Sequence, residues 1–340
     1  MLNPGQQLYR DLRDRLEATD FFKRNTADYV RKITTYGLLH ILSYIGLYAC
    51  ADTPWRWAAL IGLTLSGIQF YYVSHDAGHY AISDSKNVNL RLGHIGHTFI
   101  AGASFRFWQY KHDLHHRYCN DETRDPDMNA FFLKLYESDT RERPAWVNWV
   151  IRNQAVLLWV LVLFHNFEFQ RMSWVYTHQN PVRCRAERVL IPLHVLTYLV
   201  VPIAILGWQM ALTNYILSGM ISGVILAKLF AINHIGMPSI PSDHGLSFLE
   251  QQVITSRNVV VPALFDDYFG GLHYQIEHHL FPWVSIDRYR AASPIVKAFC
   301  QEHGIAYVEE NFGLALLNVE RHLAVMSKTE NVPGTASSLG

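Results

Sequence analysis

Three long stretches of this chain contain no Asp, Glu, Lys or Arg. Residues 33–51 and 57–75 are each 19 residues long, and residues 189–227 run for 39. One helix of that last length would reach about 60 Å at roughly 1.5 Å per residue, twice the thickness of a bilayer's hydrocarbon core. The third stretch must therefore turn, and Gly207 is the natural place. The pattern predicts four membrane-spanning helices in two hairpins, near residues 33–51, 57–75, 189–206 and 210–228.

Shorter patterns predict further helices that do not cross. Residues 92–105 and 153–167 are uncharged but too short to span, so they indicate interfacial or buried helices. Leu8, Leu12 and Leu16 lie one turn apart among charged residues, which predicts an amphipathic helix on the membrane surface, although a plain surface helix has the same pattern. The alternative for the long stretches is two buried helix pairs in a large soluble enzyme, which would require both pairs to be wholly enclosed.

The distribution of basic residues predicts the orientation. The first 32 residues carry seven Lys and Arg side chains, whereas the two hairpin turns expose only Arg56. By the positive-inside rule, both termini and the long middle segment face the cytoplasm. The polar start predicts no cleaved signal peptide. We therefore expect a cytoplasmic segment at 1–32, the main domain at 33–326 and a disordered polar tail at 327–340.

Composition supports a membrane protein and excludes some partners. Only 17% of residues are charged, against roughly 25% in an average soluble domain. The formal net charge is zero, which argues against nucleic acid, because phosphate binding needs clustered Lys and Arg. Four cysteines without paired spacing indicate neither a disulfide framework nor a thiolate zinc site, and they suit a reducing compartment. They are Cys50, Cys119, Cys184 and Cys300.

Seven of the 18 histidines fall in three clusters with helical spacing, HDAGH, HDLHH and QIEHH. Offsets of three and four residues place side chains on one helix face, within reach of a shared metal. Imidazole suits Zn, Cu, Fe and Ni, and seven or eight histidines are enough for two ions. Zinc and iron both remain open, with iron favoured because zinc does no redox chemistry. The clustered residues are His75, His79, His112, His115, His116, His278 and His279.

These motifs, with four predicted membrane helices around them, resemble the three histidine boxes of the integral-membrane fatty acid desaturase family. The resemblance runs from about residue 29 to about residue 307. The segment HHRYCNDETRDPD is similar to the extension of the second box, where the family usually has Thr at the position of Cys119. The segment GGLHYQIEHHLFP is similar to the third-box region, and its Gln275 is typical of front-end desaturases and many bacterial relatives.

The resemblance implies a fold and an activity. The fold is an all-α, polytopic membrane protein, with four spans and a cytoplasmic helical cap that carries a dimetal site. The activity is that of a non-heme diiron enzyme that uses O2 to insert a cis double bond into an acyl chain. An acyl hydroxylase or acetylenase of the same family is the alternative. A second alternative is a non-enzymatic membrane protein that binds heme or metal, although the histidines of such a protein would lie inside the spans.

The resemblance also implies ligands outside the boxes. An eighth imidazole is expected at the end of the fourth span, where Asn233 and His234 stand; the alternative is a histidine that only caps the helix. Gln275 occupies a position where other members have His, and its amide is expected to bind metal weakly or to hold a water; Asn233 is a second candidate for the same role. No catalytic residue is expected beyond the metal ligands.

Carboxylates near the boxes are candidates to orient the ligands, because a ligating imidazole usually donates its other N–H to an acceptor. The candidates are Asp76, Asp113, Asp125, Asp127 and Glu277. Alternatively, some of them only pair with Arg106, Lys111, Arg117 or Arg124. Trp108 is a candidate for the floor of a substrate channel, with plain packing as the alternative. The other histidines are expected to be structural: His40, His94, His97, His165, His178, His194, His244, His273, His303 and His322.

The partners follow from the same resemblance. The acyl substrate would be carried on CoA, acyl carrier protein or a membrane lipid, all of which are anionic. Electrons would come from an external ferredoxin or cytochrome b5, because the sequence shows neither a Gly-rich dinucleotide motif nor the HPGG of a fused cytochrome b5 domain.

Overall fold

The computed structural model describes residues 3–329, and most of them are helical. Two short strands form the sheet of the described part. In chain order the elements are α1 (Pro4–Glu17), α2 (Thr26–Ala49), α3 (Trp55–Gly78), α4 (Lys86–Gly93), α5 (Phe105–Tyr118), α6 (Ala145–Arg152), α7 (Gln154–Leu161), α8 (His165–Gln179), α9 (Glu187–Val195), α10 (Val201–Leu206), α11 (Trp208–His234), α12 (Phe248–Ile254), β1 (Arg257–Val260), α13 (Gln275–Leu280), α14 (Tyr289–Glu302), β2 (Val308–Asn311) and α15 (Phe312–Met326).

Four long helical segments coincide with the four predicted spans. Helices α2 and α3 have 24 residues each and form a hairpin around residues 50–54. Helices α9 and α10 are joined by a π-helical turn at Leu196–Val200, so that Glu187–Leu206 is one continuous helix. The second hairpin turns at Gly207, where φ is +81°, a backbone conformation that glycine adopts without a steric penalty.

Fewer helices qualify as membrane spans by length and composition than the four that the sequence pattern predicts. In the described residues, Glu187–Leu206 and α11 are each long and apolar enough to cross a membrane. A third candidate is the pair formed by α6 and residues 154–179, which is bent by 103°. Crossing by α2 and α3 therefore stays a prediction.

The two shorter uncharged stretches form irregular helices. Residues 92–105 include a π-helix at His94–Ile100 that packs against α3 and α9. The π-helical geometry leaves the carbonyl of Phe99 free, and His194 Nδ1 donates to it over 2.8 Å. Residues 153–167 lie in α7, a 3₁₀ turn and the start of α8, next to the sharp bend.

A helical cap, made of α1 and residues 248–326, covers one end of the long helices. Its core contains Leu249, Val253, Val296 and Phe299, all fully buried. Strands β1 and β2 pair in parallel, with Arg257 opposite Val308. The all-α prediction is therefore corrected by one small sheet, which joins two segments about 50 residues apart in the chain.

Helix α1 does not present its leucines to a membrane. Leu12 and Leu16 are fully buried and belong to the same core as α12 and α14. Pro4 begins the helix and Asn3 caps it, accepting from the backbone N–H of Gln6 over 2.8 Å. The expected surface helix is thus part of the protein interior, because the apolar face of α14 covers the same residues that a bilayer would. Of the predicted tail, residues 330–340 lie outside the described residues.

Candidate metal centre

Four helices bring the three histidine boxes together. His75 lies in the last turn of α3 and His79 directly after it, while α5 contributes the second box and α13 the third. His234 is the last residue of α11. The eight histidines expected as ligands form one continuous cluster, and all but His79 are buried.

The cluster divides into two donor groups. In the first donor group, one ligand atom from each of His75, His79, His112 and His278 lies within 4.8 Å of the others. The second donor group consists, by the same measure, of His115, Cys119, His234 and His279.

His116 lies between the two donor groups. Its Nε2 is 3.0 Å from Nε2 of His112, and its ring centroid is 4.3 Å from that of His279. An imidazole in this position is within reach of both groups. The cluster thus offers enough nitrogen donors for two adjacent ions.

In three of the rings, Nδ1 is hydrogen-bonded to an acceptor from the protein. Nδ1 of His115 donates to Asp125 over 2.9 Å, and Nδ1 of His279 donates to Oε1 of Gln252 over 2.8 Å. Nδ1 of His75 lies 3.1 Å from Oδ1 of Asp76. Since the proton is on Nδ1, the lone pair of each ring is on Nε2, the nitrogen that a metal would take.

Several ring nitrogens inside the cluster have no protein partner. Nε2 of His79, His278 and His279 and Nδ1 of His116 are buried without a hydrogen bond. A buried polar atom left unpaired costs about 1–3 kcal/mol, so four of them in one place point to a ligand that the protein itself does not supply. A set of imidazoles with inward lone pairs fits two borderline transition-metal ions.

Burial keeps these imidazoles ready to bind metal. Together with the neighbouring histidines, it holds the pKa of His112, His116, His278 and His279 well below the usual range. Neutral imidazole is the form that a metal requires. Burial also lowers the pKa of His115, but the Asp125 carboxylate outweighs it and the pKa is raised.

The predicted orienting carboxylates have different surroundings. Asp76 and Asp125 contact ligand histidines, and Tyr29 donates to Asp76 over 2.7 Å. Asp127 lies 3.5 Å from Nδ1 of His115 and pairs with Lys111.

Glu277 and Asp113 are not brought to the rings. Glu277 instead accepts from Asn258 and Tyr307, and burial raises its pKa to about 7. Asp113 is exposed and forms no hydrogen bond with a histidine within residues 3–329. Its position on the outer face of α5 explains this.

Gln275 and Asn233 form a pair beside the second donor group. The amide of Asn233 donates to Oε1 of Gln275 over 3.0 Å and to the carbonyl of Leu272 over 2.9 Å. This turns the NH2 of Gln275 towards Nε2 of His234, at 3.0 Å. Nδ1 of His234 lies 3.1 Å from the carbonyl of Thr255, which fixes the ring from behind.

Trp108 forms a wall of the cluster. Its ring stacks on His112 with centroids 4.5 Å apart, and lies 5.3 Å from His75 and 5.9 Å from His79. A Cβ at Gly78 would collide with it, so the glycine permits this close approach.

Some neighbours of the rings carry no signal in the sequence. Gln252, Thr255 and Tyr29 support ligands that lie more than 20 residues away, and nothing near them marks a metal site. Cys119 did carry a signal in the sequence, because the family usually has Thr at this position. Its Sγ lies 3.4 Å from Nδ1 of His234.

The histidines expected to be structural lie outside both donor groups of the described chain. His40 is bonded to Ser66 and Tyr198, at 3.0 and 2.8 Å. His194 is bonded to the carbonyl of Phe99 and to the hydroxyl of Tyr215. Both rings are therefore satisfied by neighbouring helices.

The fold and the cluster together define a class: a helical protein with membrane-type helices and histidine clusters that could hold metal. The chain matches the family model described as fatty acid desaturase over residues 52–311. It belongs to that family.

Named relatives agree with this assignment. The chain is 27% identical to a Delta 8-(E)-sphingolipid desaturase of Lachancea kluyveri, over 94% of this chain and 60% of the relative. It is 26% identical to Delta(8)-fatty-acid desaturase 2 of Arabidopsis thaliana, over 85% and 69%. It is also 26% identical to an acyl-lipid (9-3)-desaturase of Physcomitrium patens, over 95% and 63%. The chain spans only 55–60% of the length of the first three yeast and fungal relatives.

Proposed function

We propose that this chain is a membrane-bound lipid acyl desaturase whose eight histidines hold two iron ions. The observation that carries the proposal is the pair of donor groups with unpartnered ring nitrogens facing inward. When bound, the irons would supply the redox chemistry by which O2 takes up two electrons from an external donor and two from the acyl chain. In the balanced reaction, –CH2–CH2– loses two hydrogen atoms and becomes –CH=CH–, and these two hydrogens combine with O2, two electrons and two protons to give two waters.

The residues around the cluster prepare it for this chemistry. Asp76, Asp125 and Gln252 hold three rings in fixed tautomers and orientations. Trp108, 4% exposed, closes the wall next to His75 and His112. An enclosed site keeps water away from reactive species and places one methylene beside the metals.

A cavity of about 100 Å³ inside the long helices is the proposed place for the far end of the acyl chain. Its lining includes Leu60, Leu63, Ile68 and Leu226. Tyr71 also lines it, one helical turn before His75. The cavity thus lies among the long helices, and Tyr71 marks its end towards the first histidine box. The lining is not wholly apolar, since His40 and His194 reach it.

The proposed membrane arrangement has four spans, with both termini and the metal centre on the cytoplasmic side. Helix α2 supports its own crossing by an outward stripe of Leu38, Ile41, Leu42 and Ile45, all exposed. These positions are three and four residues apart, so they form one face. Lipid would cover that face, while the opposite side of α2 packs on α3.

The electron source and the acyl carrier belong to the proposal as well. An external ferredoxin or cytochrome b5 would deliver two electrons per turnover. The carrier would be CoA, acyl carrier protein or lipid. The acyl-lipid name of the Physcomitrium relative favours a lipid.

A heme-binding role is disfavoured by the histidines within the long helices. An axial ligand needs a free ring nitrogen that faces its partner across the bundle. In His40 and in His194, both ring nitrogens are engaged by serine, tyrosine or backbone groups, and neither ring belongs to a donor group of the described residues.

The test is expression in a host of known lipid composition, followed by gas chromatography of fatty acid methyl esters. A new cis-unsaturated ester in cells with the wild-type chain, and none in cells with His278→Ala, is the expected result. A hydroxylated or acetylenic ester would assign the alternative reaction. Unchanged lipids, with the protein folded and loaded with iron, would contradict the proposed function.

A further inference from the structure

A second cavity, of about 250 Å³, lies outside the metal centre and touches it at His79. Besides His79, its lining is polar: Arg106, Gln109, Asp113 and Arg183 with Tyr80 and Gly78. We call it the arginine cavity. Because His79 also belongs to the first donor group, a molecule in this cavity lies directly beside the proposed reaction site.

The arginine cavity lies at the level where two long helices end. Gly78 is the last residue of α3, and Arg183 precedes the start of α9 at Glu187 by four residues. Exposed aromatic side chains lie nearby: Tyr110, on the same helix as Arg106 and Gln109, is 47% exposed and stacks on Tyr176 with centroids 5.7 Å apart. Such residues mark the membrane–water interface, where lipid headgroups lie.

In the described residues the two arginines form no direct ion pair, although the charge of Arg183 acts on the nearby carboxylate of Asp113. Within residues 3–329, no ion pair includes Arg106 or Arg183. Arg106 donates to Oε1 of Gln109 over 2.9 Å, but its Nε is buried without a partner. An arginine at a polar cavity with an unused donor is a phosphate-binding group, since its planar fork matches phosphate oxygens.

The carboxylate of Asp113 affects which class of phosphate ligand the cavity favours. It lines the same cavity without a direct ion pair to either arginine in the described residues, while the positive charges of Arg183 and Arg117 act on it from nearby. It would repel a dianionic phosphate, but it would attract an amine at the other end of a zwitterionic headgroup. The charges therefore complement a phosphate ester that carries a cationic amine.

We infer that the arginine cavity binds the phosphate–amine headgroup of a zwitterionic phospholipid, and so presents an acyl chain that is still esterified to lipid. This inference rests on the proposed function and names its substrate class. A headgroup held here places the carbons nearest the ester next to His79. Trp108, whose ring centroid lies 5.9 Å from that of His79, would then border the rest of the chain.

The test measures headgroup binding without turnover. Purified, metal-loaded protein in maltoside micelles is titrated with dodecylphosphocholine, and the melting temperature is followed. Dodecyl phosphate, dodecyltrimethylammonium, inorganic phosphate and CoA are titrated in parallel. We expect dodecylphosphocholine to raise the melting temperature at the lowest concentration, and dodecyltrimethylammonium and inorganic phosphate to have little effect.

Variants assign the effect to the cavity. Arg183→Gln, in an exposed turn, should weaken the apparent affinity for dodecylphosphocholine at least about tenfold, as expected for loss of a charge-assisted contact. Asp113→Asn should remove the preference for dodecylphosphocholine over dodecyl phosphate. Arg13→Gln, on the solvent side of α1, is the matched control and should bind as the wild type does.

The outcomes separate the two proposals. Equal binding by Arg183→Gln and wild type, or tighter binding of CoA or inorganic phosphate, would overturn the headgroup assignment and leave the desaturase proposal standing. Cavity-dependent binding of dodecylphosphocholine without any new unsaturated ester in cells would support the lipid site and contradict the proposed reaction.

Discussion

At the scale of single residues, the proposed metal binding depends on the acceptor to which each imidazole donates the N–H of its second ring nitrogen. The ligands on α5 and α13 are oriented by side chains from other segments, such as Asp125 and Gln252. These acceptors fix which nitrogen carries the proton. Their loss should therefore weaken metal binding without removing any ligand.

Asp125→Asn tests this idea. The amide can still contact Nδ1 of His115, but it lacks the charge that raises the pKa of that ring. We expect a metal affinity about 10–100-fold lower, as for other orienting carboxylates. Competition with a chelator, read by atomic absorption, measures it. Asp14→Asn, exposed on α1, is the control, and equal chelator sensitivity of the two variants would refute the orienting role.

A second pair of variants separates a ligand from a structural histidine. His234→Ala should lose metal and activity, because its ring is part of the second donor group. His194→Phe should retain metal, because its ring only bonds Phe99 and Tyr215, and an aromatic ring of similar volume fills its place. Metal per mole of folded protein is the measurement. A metal-depleted His194→Phe beside a metal-loaded His234→Ala would reverse the assignment.

At the scale of elements, the segment between α5 and α6 is held by a buried charge cluster. Asp139, 1% exposed, accepts from Arg141 over 2.7 Å and from Arg143 over 2.6 Å. Although burial alone raises the pKa of Asp139, the two guanidinium groups outweigh it and lower the pKa to about 2. A carboxyl whose pKa is lowered in the folded state stabilises the fold above its unfolded pKa, near 4, and loses this contribution as the pH falls towards 2.

Asp139→Asn should therefore be less stable than the wild type at pH 7, since Arg143 is left buried without its counter-charge. The difference in melting temperature should shrink as the pH falls below 4. Melting curves of both proteins in the same detergent, from pH 7 to pH 3, check this. A difference that does not change with pH would show that the ion pairs are not its cause.

At the scale of the whole molecule, the cluster sits where the long helices meet the cap. In the proposed reaction, this end of the bundle would face the side from which the electrons arrive. Single cysteines in a Cys50→Ser background test the arrangement: Thr53→Cys in the first hairpin turn, Ser138→Cys after α5, and Thr329→Cys after α15. The other native cysteines, Cys119, Cys184 and Cys300, are buried.

Four spans predict that an impermeant maleimide labels Ser138→Cys and Thr329→Cys from the same side, and Thr53→Cys from the other. The physical reason is that an even number of crossings separates the first two positions, and an odd number separates either from residue 53. Labelling of intact cells and of inverted vesicles gives the two sides. Labelling of all three positions from one side would contradict the four-span arrangement.

The sequence by itself determined the features that depend on local spacing. Histidines three and four residues apart share a helix face wherever that helix lies, so the three boxes were evident, and uncharged length determined the two hairpins and the turn at Gly207. The family, too, was evident from these motifs.

Only the tertiary structure decided how distant segments combine. It placed His116 between the two donor groups, assigned Gln252 to His279 and left Asp113 at the surface, because such contacts depend on how α5, α12 and α13 pack. Likewise, the pattern of Leu12 and Leu16 is the same against lipid or protein, since burial of an apolar face is not directional. Their packing in the cap was therefore beyond the reach of periodicity.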